Sequence, residues 1–335
     1  MRKIGVMGAG SWGITLADLL ARKRHDVTLW VHTADRVEDM KRNRVDRTYL
    51  PDLAISPSLE ITASMEEAVY RKDIVLFVVP SQVVRGVMLA AIPHMAADAC
   101  IVNAAKGIEI DSLLTMSGVC KKILPSWLAE KYCVLSGPSF AQEVARQMPT
   151  AIVAAATDPL VAKRVQEAFS TPCFRVYTNS DVIGVELGGA LKNVISIAAG
   201  ICDGLGMGHN TRAALITRGL AEMARLGKAL GGNPATFSGL AGMGDLVLTC
   251  TGDLSRNRTV GKKLGEGMKL KDILADMRMV AEGVKTTEAA WQLATALCVD
   301  MPITEKVHEI LYKDKDPHQS IMELMTRVLR AEEDE

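Results

Sequence analysis

"KIGVMGAGSWGITLADLLAR", residues 3 to 22, sets three glycines, Gly8, Gly10 and Gly13, between an apolar run and a helical pattern. The run "KIGVMG" (3–8) has the composition of a buried strand, and apolar residues then recur at helical spacing from 11 to 24. In that setting Gly-x-Gly-x-x-Gly has a definite physical content. The first glycine permits a tight turn, the second lets backbone approach a pyrophosphate, and the third lets helix and strand pack closely. The helix start then offers free N–H groups and a positive dipole end to phosphates. A glycine-rich structural turn is the alternative for the motif alone; the strand–turn–helix context argues for a dinucleotide site. Ser11 and Trp12 would then meet the cofactor, although Trp12 suits the core equally well.

Outward from this stretch, short β-rich runs alternate with helical patterns. "VTLW" (27–30) precedes an irregular, charged stretch to about residue 58, and "LEIT" (59–62) leads to a capping box, Ser64 with Glu67. "DIVLFVVP" (73–80) is continuously apolar, as a strand buried on both faces is. A helix at 81–95, "CIVNAAK" (100–106), a helix near 112–124, "CVLSGPSF" (133–140), "TAIVAAA" (150–156) and "FRVYT" (174–178) continue the series. This predicts an α/β domain over 1–180, a Rossmann-like, doubly wound, mainly parallel sheet. After about residue 180 only helical patterns remain, broken by glycines at 204–208, 231–232 and 239–244, so an all-helical second domain is expected over 181–335. In open α/β sheets ligands sit at the carboxyl edge of the strands. The small, polar or basic residues of "VVPSQ" (78–82), "NAAKGIE" (103–109) and "LSGPSFAQE" (135–143) fall at that edge, and Lys106 is therefore expected beside the cofactor.

Composition excludes several classes. Lys+Arg and Asp+Glu both number 39, which gives no footprint for nucleic acid or a polybasic membrane anchor. The seven cysteines are scattered, without a CxxC pair or a His at ligand spacing, so neither a disulfide framework, a zinc site nor any other metal is expected. No apolar run is read as approaching the roughly 18 residues of a membrane span. The basic, apolar N-terminus imitates a signal peptide, but its glycines fit the strand–turn–helix better. A cytoplasmic chain is expected, with a homodimer left open.

"VELGGALKNVISIAAGICDGLG" (185–206) is almost wholly apolar or small, yet carries Lys192, the only Lys or Arg between Arg175 and Arg212. Leu187, Leu191, Val194, Ile195, Ala198 and Ile201 follow helical spacing and predict a buried helix. Lysine is almost never buried without a partner or a task. A snorkelling lysine or a structural ion pair is the plain alternative. The chemical one is proton transfer: a hydride arriving at a ketone leaves an alkoxide to be protonated. Burial and a second cation, such as Lys106, lower a lysine's pKa toward neutrality and suit it to that work. Asp245, in "GMGDLVLT", either orients the ammonium or is a turn residue after glycine. "GDLSRNR" (252–258) offers Ser255 as a helix N-cap followed by Arg256, Asn257 and Arg258, a set suited to a phosphate dianion or to a solvated basic face. Spacing does not choose between the two arginines.

The blocks "GAGSWG", "AAKGIE", "LSGPSFAQEV", "ELGGALKNVISIAAGICDGLGMGHN", "ALITRGLAEMARLG", "GLAGMGDLVLTCTGDLSRNRTVG" and "VAEGVKT" resemble those of the NAD(P)-dependent glycerol-3-phosphate dehydrogenases of the bacterial type. The resemblance spans nearly the whole chain, and the blocks around Lys192 and "DLSRNR" are its most specific parts. It implies reduction of dihydroxyacetone phosphate to sn-glycerol 3-phosphate with NAD(P)H, feeding glycerophospholipid synthesis. It implies Lys192 as proton donor and acceptor, and Lys106 at both cofactor and substrate. Gly137, Ser139, Asp245, Ser255, Arg256 and Asn257 fall at substrate positions, and Ala141, Arg256, Val280 and Glu282 at cofactor positions. A related dehydrogenase of the 6-phosphogluconate or 3-hydroxyacid type is the nearest alternative, but it does not predict "GMGDLVLTCTGDLSRNR". A non-catalytic NAD(P)-sensing module would leave Lys192 without a role.

Cofactor choice is read from the end of the second strand, where an NAD-specific site carries an Asp or Glu for the ribose 2′-hydroxyl. Here "VTLW" is followed by Val31, His32 and Thr33, with no acid. His32 and, a turn later, Arg36 are the candidates for a 2′-phosphate, so NADPH is expected to be preferred over NADH. Asp35 lies close enough for a ribose hydroxyl, but "TADRVEDM" more simply makes it a helix N-terminal residue.

Overall fold

In the computed structural model, which describes residues 1–277, 281–329 and 331–332, the chain divides by its contacts into two units. The first comprises Met1–Ala105 and Met116–Val182, the second Lys106–Thr115 and Ile183–Glu335. Residues 106–115 thus leave the α/β series and group with the helical unit, an interleaving that a single boundary near 180 does not express.

The first unit is built on eight strands: β1 (Lys3–Met7), β2 (Asp26–Trp30), β3 (Glu60–Thr62), β4 (Ile74–Phe77), β5 (Cys100–Asn103), β6 (Tyr132–Ser136), β7 (Thr150–Ala155) and β8 (Phe174–Asn179). Their order is β3-β2-β1-β4-β5-β6-β7-β8, parallel throughout except at the β6/β7 pair. The chain runs outward from β1 in both directions, so the topological switch point lies between β1 and β4, where a doubly wound sheet opens a crevice. β4, "IVLF", is buried at every position, as its unbroken apolar sequence requires. Ile4, Val6, Leu29, Leu76 and Val102 of the sheet pack with Ile14, Leu16 and Leu20 of the helix Ser11–Arg22 in one core. Ser64 caps the helix Met65–Val69 by accepting the Glu67 N–H, while the Glu67 carboxylate turns to the Thr62 hydroxyl at 2.5 Å rather than closing a capping box.

The second unit is wrapped around the helix Val182–Gly204, which is buried from Gly184 to Cys202. This corrects one expectation. The helix is long and apolar enough to cross a membrane by length and composition, with a mean hydropathy of 1.5 over its most apolar window, but 89% of that window is buried inside the chain's own fold. Its alanines, leucines and β-branched residues raise hydropathy despite Glu186 and Lys192, and neighbouring helices supply the apolar surroundings. Contact with the helix Arg256–Gly265 is backbone to backbone. A Cβ on Gly200 would lie 2.1 Å from the Arg258 carbonyl oxygen, and one on Gly261 2.0 Å from that of Ile197. Neither tolerates a methyl group, and the fit fixes the start of one helix beside the lysine-bearing turn of the other.

Candidate active site

In the first unit the glycine turn follows β1 directly. Gly8 has φ +117°, a conformation that favours glycine, and its Cβ would meet the Val78 carbonyl oxygen at 2.7 Å. A Cβ on Gly13 would sit 1.9 Å from the Gly8 carbonyl oxygen, so helix and turn touch without room for a side chain. Around Gly10 nothing lies within 4 Å of the Cβ position, and no side chain caps the helix Ser11–Arg22 that begins there. Tight packing at the first and third glycines with open space at the second is the shape a pyrophosphate requires. Trp12 is half-buried with its ring centroid 6.4 Å from that of Phe174. Ala141 begins the helix Ala141–Ala145, and its carbonyl accepts the Thr15 hydroxyl at 3.3 Å. Gly137, at φ +144°, packs against Ile152, and the Ser139 hydroxyl donates to its carbonyl at 3.0 Å. His32 is exposed, its ring edge on Trp30, while the Arg36 guanidinium is not free: it donates to Asp46 Oδ2 at 2.5 Å.

In the second unit the charged residues converge. Lys192 is 7% exposed, and its Nζ donates to Asp245 Oδ1 at 2.7 Å and to Thr249 Oγ1 at 2.7 Å. Lys106 Nζ donates to the other carboxylate oxygen of Asp245, Oδ2, at 2.6 Å. One buried carboxylate is therefore shared by two ammoniums, so with both lysines protonated the three groups carry a net positive charge. Burial, and after it the nearby Lys106 cation, bring the Lys192 pKa down to about 8, against the opposing pull of Asp245. Two of the three Lys192 N–H bonds are used, which leaves one uncommitted. Asp245 opens the helix Asp245–Thr251 directly after a π-helical turn, Leu240–Gly244, and Thr249 lies one turn further on the same face. The Thr249 hydroxyl also donates to the Asp245 carbonyl at 2.6 Å, so the acceptor for Lys192 is locked.

Beside this cluster stands the start of the helix Arg256–Gly265. Ser255 is its N-cap and accepts the Arg258 N–H at 3.2 Å. Its hydroxyl also meets Ser196 Oγ at 2.9 Å, and Ser196 donates to the Thr249 carbonyl at 3.0 Å. Each serine has one proton, so Ser255 donates to Ser196, and this buried chain ties the cap to the Lys192 acceptor. Asn257 Nδ2 donates to Asn193 Oδ1 at 2.9 Å, and its Oδ1 accepts the Gly283 N–H at 2.9 Å, next to Glu282. Arg258 is held by Asp203 and Asp253, at 2.7 and 2.8 Å, whereas Arg256 is exposed. The arginines left undivided by spacing thus differ in exposure. Val280 lies outside the described residues.

The lysine, aspartate and cap residues expected from the sequence are brought together here; Thr249, Asn193 and Ser196 were not singled out. A signal existed for the first, since Asp245 and Thr249 are four residues apart, but the preceding glycines concealed the helix.

A glycine turn shaped for a pyrophosphate and a buried lysine poised near neutrality define a nicotinamide-linked oxidoreductase. Residues 3–162 match the N-terminal and residues 181–322 the C-terminal family profile of NAD-dependent glycerol-3-phosphate dehydrogenase. Over 330 residues the chain is 63% identical to glycerol-3-phosphate dehydrogenase [NAD(P)+] of Geobacter sulfurreducens, covering 98% of each. It superposes on the crystal structure of glycerol-3-phosphate dehydrogenase from Coxiella burnetii with a TM-score of 0.92 at 40% identity, over 97% of this chain and 99% of that one. The yeast enzyme from Saccharomyces cerevisiae gives 0.80 at 25% identity, over 95% and 98%. The chain belongs to the NAD(P)-dependent glycerol-3-phosphate dehydrogenase family.

Proposed function

We propose that the chain reduces the ketone of dihydroxyacetone phosphate to sn-glycerol 3-phosphate, with Lys192 as proton donor and, in reverse, acceptor. The single observation that carries the residue assignment is the Lys192–Asp245–Lys106 cluster with one Lys192 N–H uncommitted. NAD(P)H, when bound, supplies the hydride. Lys192 gives one proton to the developing alkoxide and is left as a neutral amine. Asp245 keeps Lys192 oriented in either state, and Lys106 bonds the other oxygen of Asp245 and adds positive charge for the oxyanion. Arg256 and the start of its helix take the phosphate, with Ser255 and Asn257 setting the position of that helix. Gly8, Gly10, Ser11, Trp12, Gly13, Ala141 and Glu282 are carried as cofactor contacts, and Gly137 and Ser139 as substrate contacts.

The product would serve as the glycerol backbone of phospholipids, and a cytoplasmic setting is supported by seven cysteines that are all free thiols. A homodimer belongs to the same proposal, supported by the exposed apolar Met322, Met325, Val328 and Leu329 near the chain's end, and light scattering checks it. The test of function is NAD(P)H absorbance on adding dihydroxyacetone phosphate, followed across pH. Reduction needs protonated Lys192, so kcat should fall as pH rises past about 8, and oxidation of glycerol 3-phosphate should rise there. Turnover without that inflection would remove Lys192 from the role.

A further inference from the structure

Arg36 stands near the start of the helix Ala34–Asn43, which follows β2. Its Nη2 donates to the Ala9 carbonyl of the glycine turn at 2.8 Å and to Asp46 Oδ2 at 2.5 Å. Its Cζ lies 4.8 Å from the centroid of the Tyr49 ring, and its Nε is buried without a partner. Asp46 is only 2% exposed, and its second oxygen, Oδ1, accepts the N–H groups of Thr48 at 3.1 Å and Tyr49 at 2.6 Å. Both carboxylate oxygens are committed, so Asp46 does not turn away from the guanidinium. The fold brings a cation to the glycine turn and then fixes an anion against it.

We propose that Asp46 sets the cofactor choice of this chain, holding Arg36 so that NADH and NADPH are served more evenly than a free arginine would allow. The inference rests on the reading of the glycine turn as the dinucleotide site. The two cofactors differ there by a ribose 2′-phosphate, a dianion that a guanidinium fork binds well. To engage Arg36 that phosphate must displace or approach the Asp46 carboxylate, which repels it. A neutral 2′-hydroxyl feels neither charge strongly, so NADH is almost indifferent to the pair. Asparagine at 46 retains an oxygen for the Thr48 and Tyr49 N–H groups but presents an amide without charge toward Arg36. The turn survives the change, and the guanidinium is released.

The experiment is calorimetric titration of NADPH and NADH into the parent, Asp46→Asn, Arg36→Gln and the double variant, with a melting curve for each. Asp46→Asn should tighten NADPH about tenfold and leave NADH within about twofold. In the double variant the NADPH:NADH ratio should return to within about twofold of Arg36→Gln alone. Arg36→Gln in the parent, which disturbs less of the loop, should lower the ratio by no more than about threefold, because Asp46 already holds that charge. An unchanged ratio in Asp46→Asn, or equal tightening of both cofactors, overturns the proposal, as does a tenfold loss of NADPH on Arg36→Gln. A parent that binds both dinucleotides while Asp46→Asn leaves the ratio alone sinks only this inference. A parent that binds neither removes the dinucleotide site and this inference with it.

Discussion

Lys72 and Lys192 are buried to the same degree, each 7% exposed, and burial lowers the pKa of both. Both also donate to a threonine hydroxyl, Thr28 at 2.8 Å for Lys72 and Thr249 at 2.7 Å for Lys192. They differ in their acids. Lys72 stands 4.0 Å from Asp26, whose side chain is 42% exposed, so its counter-charge is loose and solvated. Lys192 is bonded to a carboxylate that is 1% exposed, shared with a second ammonium and fixed at the start of a helix. Burial and a lowered pKa are therefore common to a lysine at a sheet and a lysine at a candidate reaction centre, and do not separate them. The shared, immobile carboxylate does.

The sharpest way to break this comparison is to remove both lysines in turn. Lys192→Ala should lower kcat by about 10²–10⁴-fold, the scale of losing a general acid. Lys72→Met should leave kcat within about twofold, as expected of a side chain away from reacting atoms. Stopped-flow or steady-state rates on variants with parent-like melting curves decide it. Near-normal turnover in Lys192→Ala, or a collapse in Lys72→Met, would show that the bonded carboxylate is the wrong criterion.

A related contrast, between an exposed and a largely buried guanidinium, applies to the two arginines of "SRNR". Arg256→Ala should raise KM for the phosphorylated substrate about 10–100-fold, the loss of a charge-assisted contact worth a few kcal/mol. Unphosphorylated dihydroxyacetone should be a very poor substrate. Arg258→Ala, which leaves the largely buried Asp203 with one fewer cation, should instead lower Tm while moving KM much less. The reverse pattern would exchange their roles.

What sets the two arginines apart in the fold could not be read from the sequence. Both follow Ser255 within three residues, and what separates them is Asp203, fifty-five residues before Arg258, which becomes its neighbour only when two glycine-bearing helices touch. Local chemistry was legible: the glycine turn, the unbroken apolar β4, the helical period around Lys192 and the Ser255 cap all act within a few residues. Non-local commitments were not, because no spacing rule announces that Asp46 holds Arg36 or that Asp245 serves both Lys106 and Lys192. The run 106–115 shows the same limit, since its residues follow a strand yet group with the helical unit.

The smallest effect concerns Lys72 itself and sharpens the comparison where no catalysis intervenes. Its folded-state pKa lies below the ordinary 10.5, so there is a window of alkaline pH in which the folded chain has released this proton and the unfolded chain still holds it. Unfolding takes up a proton there, and stability contributed by this site therefore rises with pH across the window; below it, the full penalty of the buried charge remains. Lys72→Met has no such proton. Other alkaline groups titrate in both proteins, so they cancel in the difference between the two melting temperatures. The unpaired Thr28 hydroxyl left by the variant displaces that difference by a fixed amount at every pH. The trend is the test: measured by calorimetry from neutral pH to about 10, the parent should gain on Lys72→Met as pH rises, the lysine's pKa in an unfolded chain being about 10.4. A difference independent of pH would mean that the Lys72 ammonium is as well solvated in the folded chain as out of it, and that its resemblance to Lys192 ends at its exposed area.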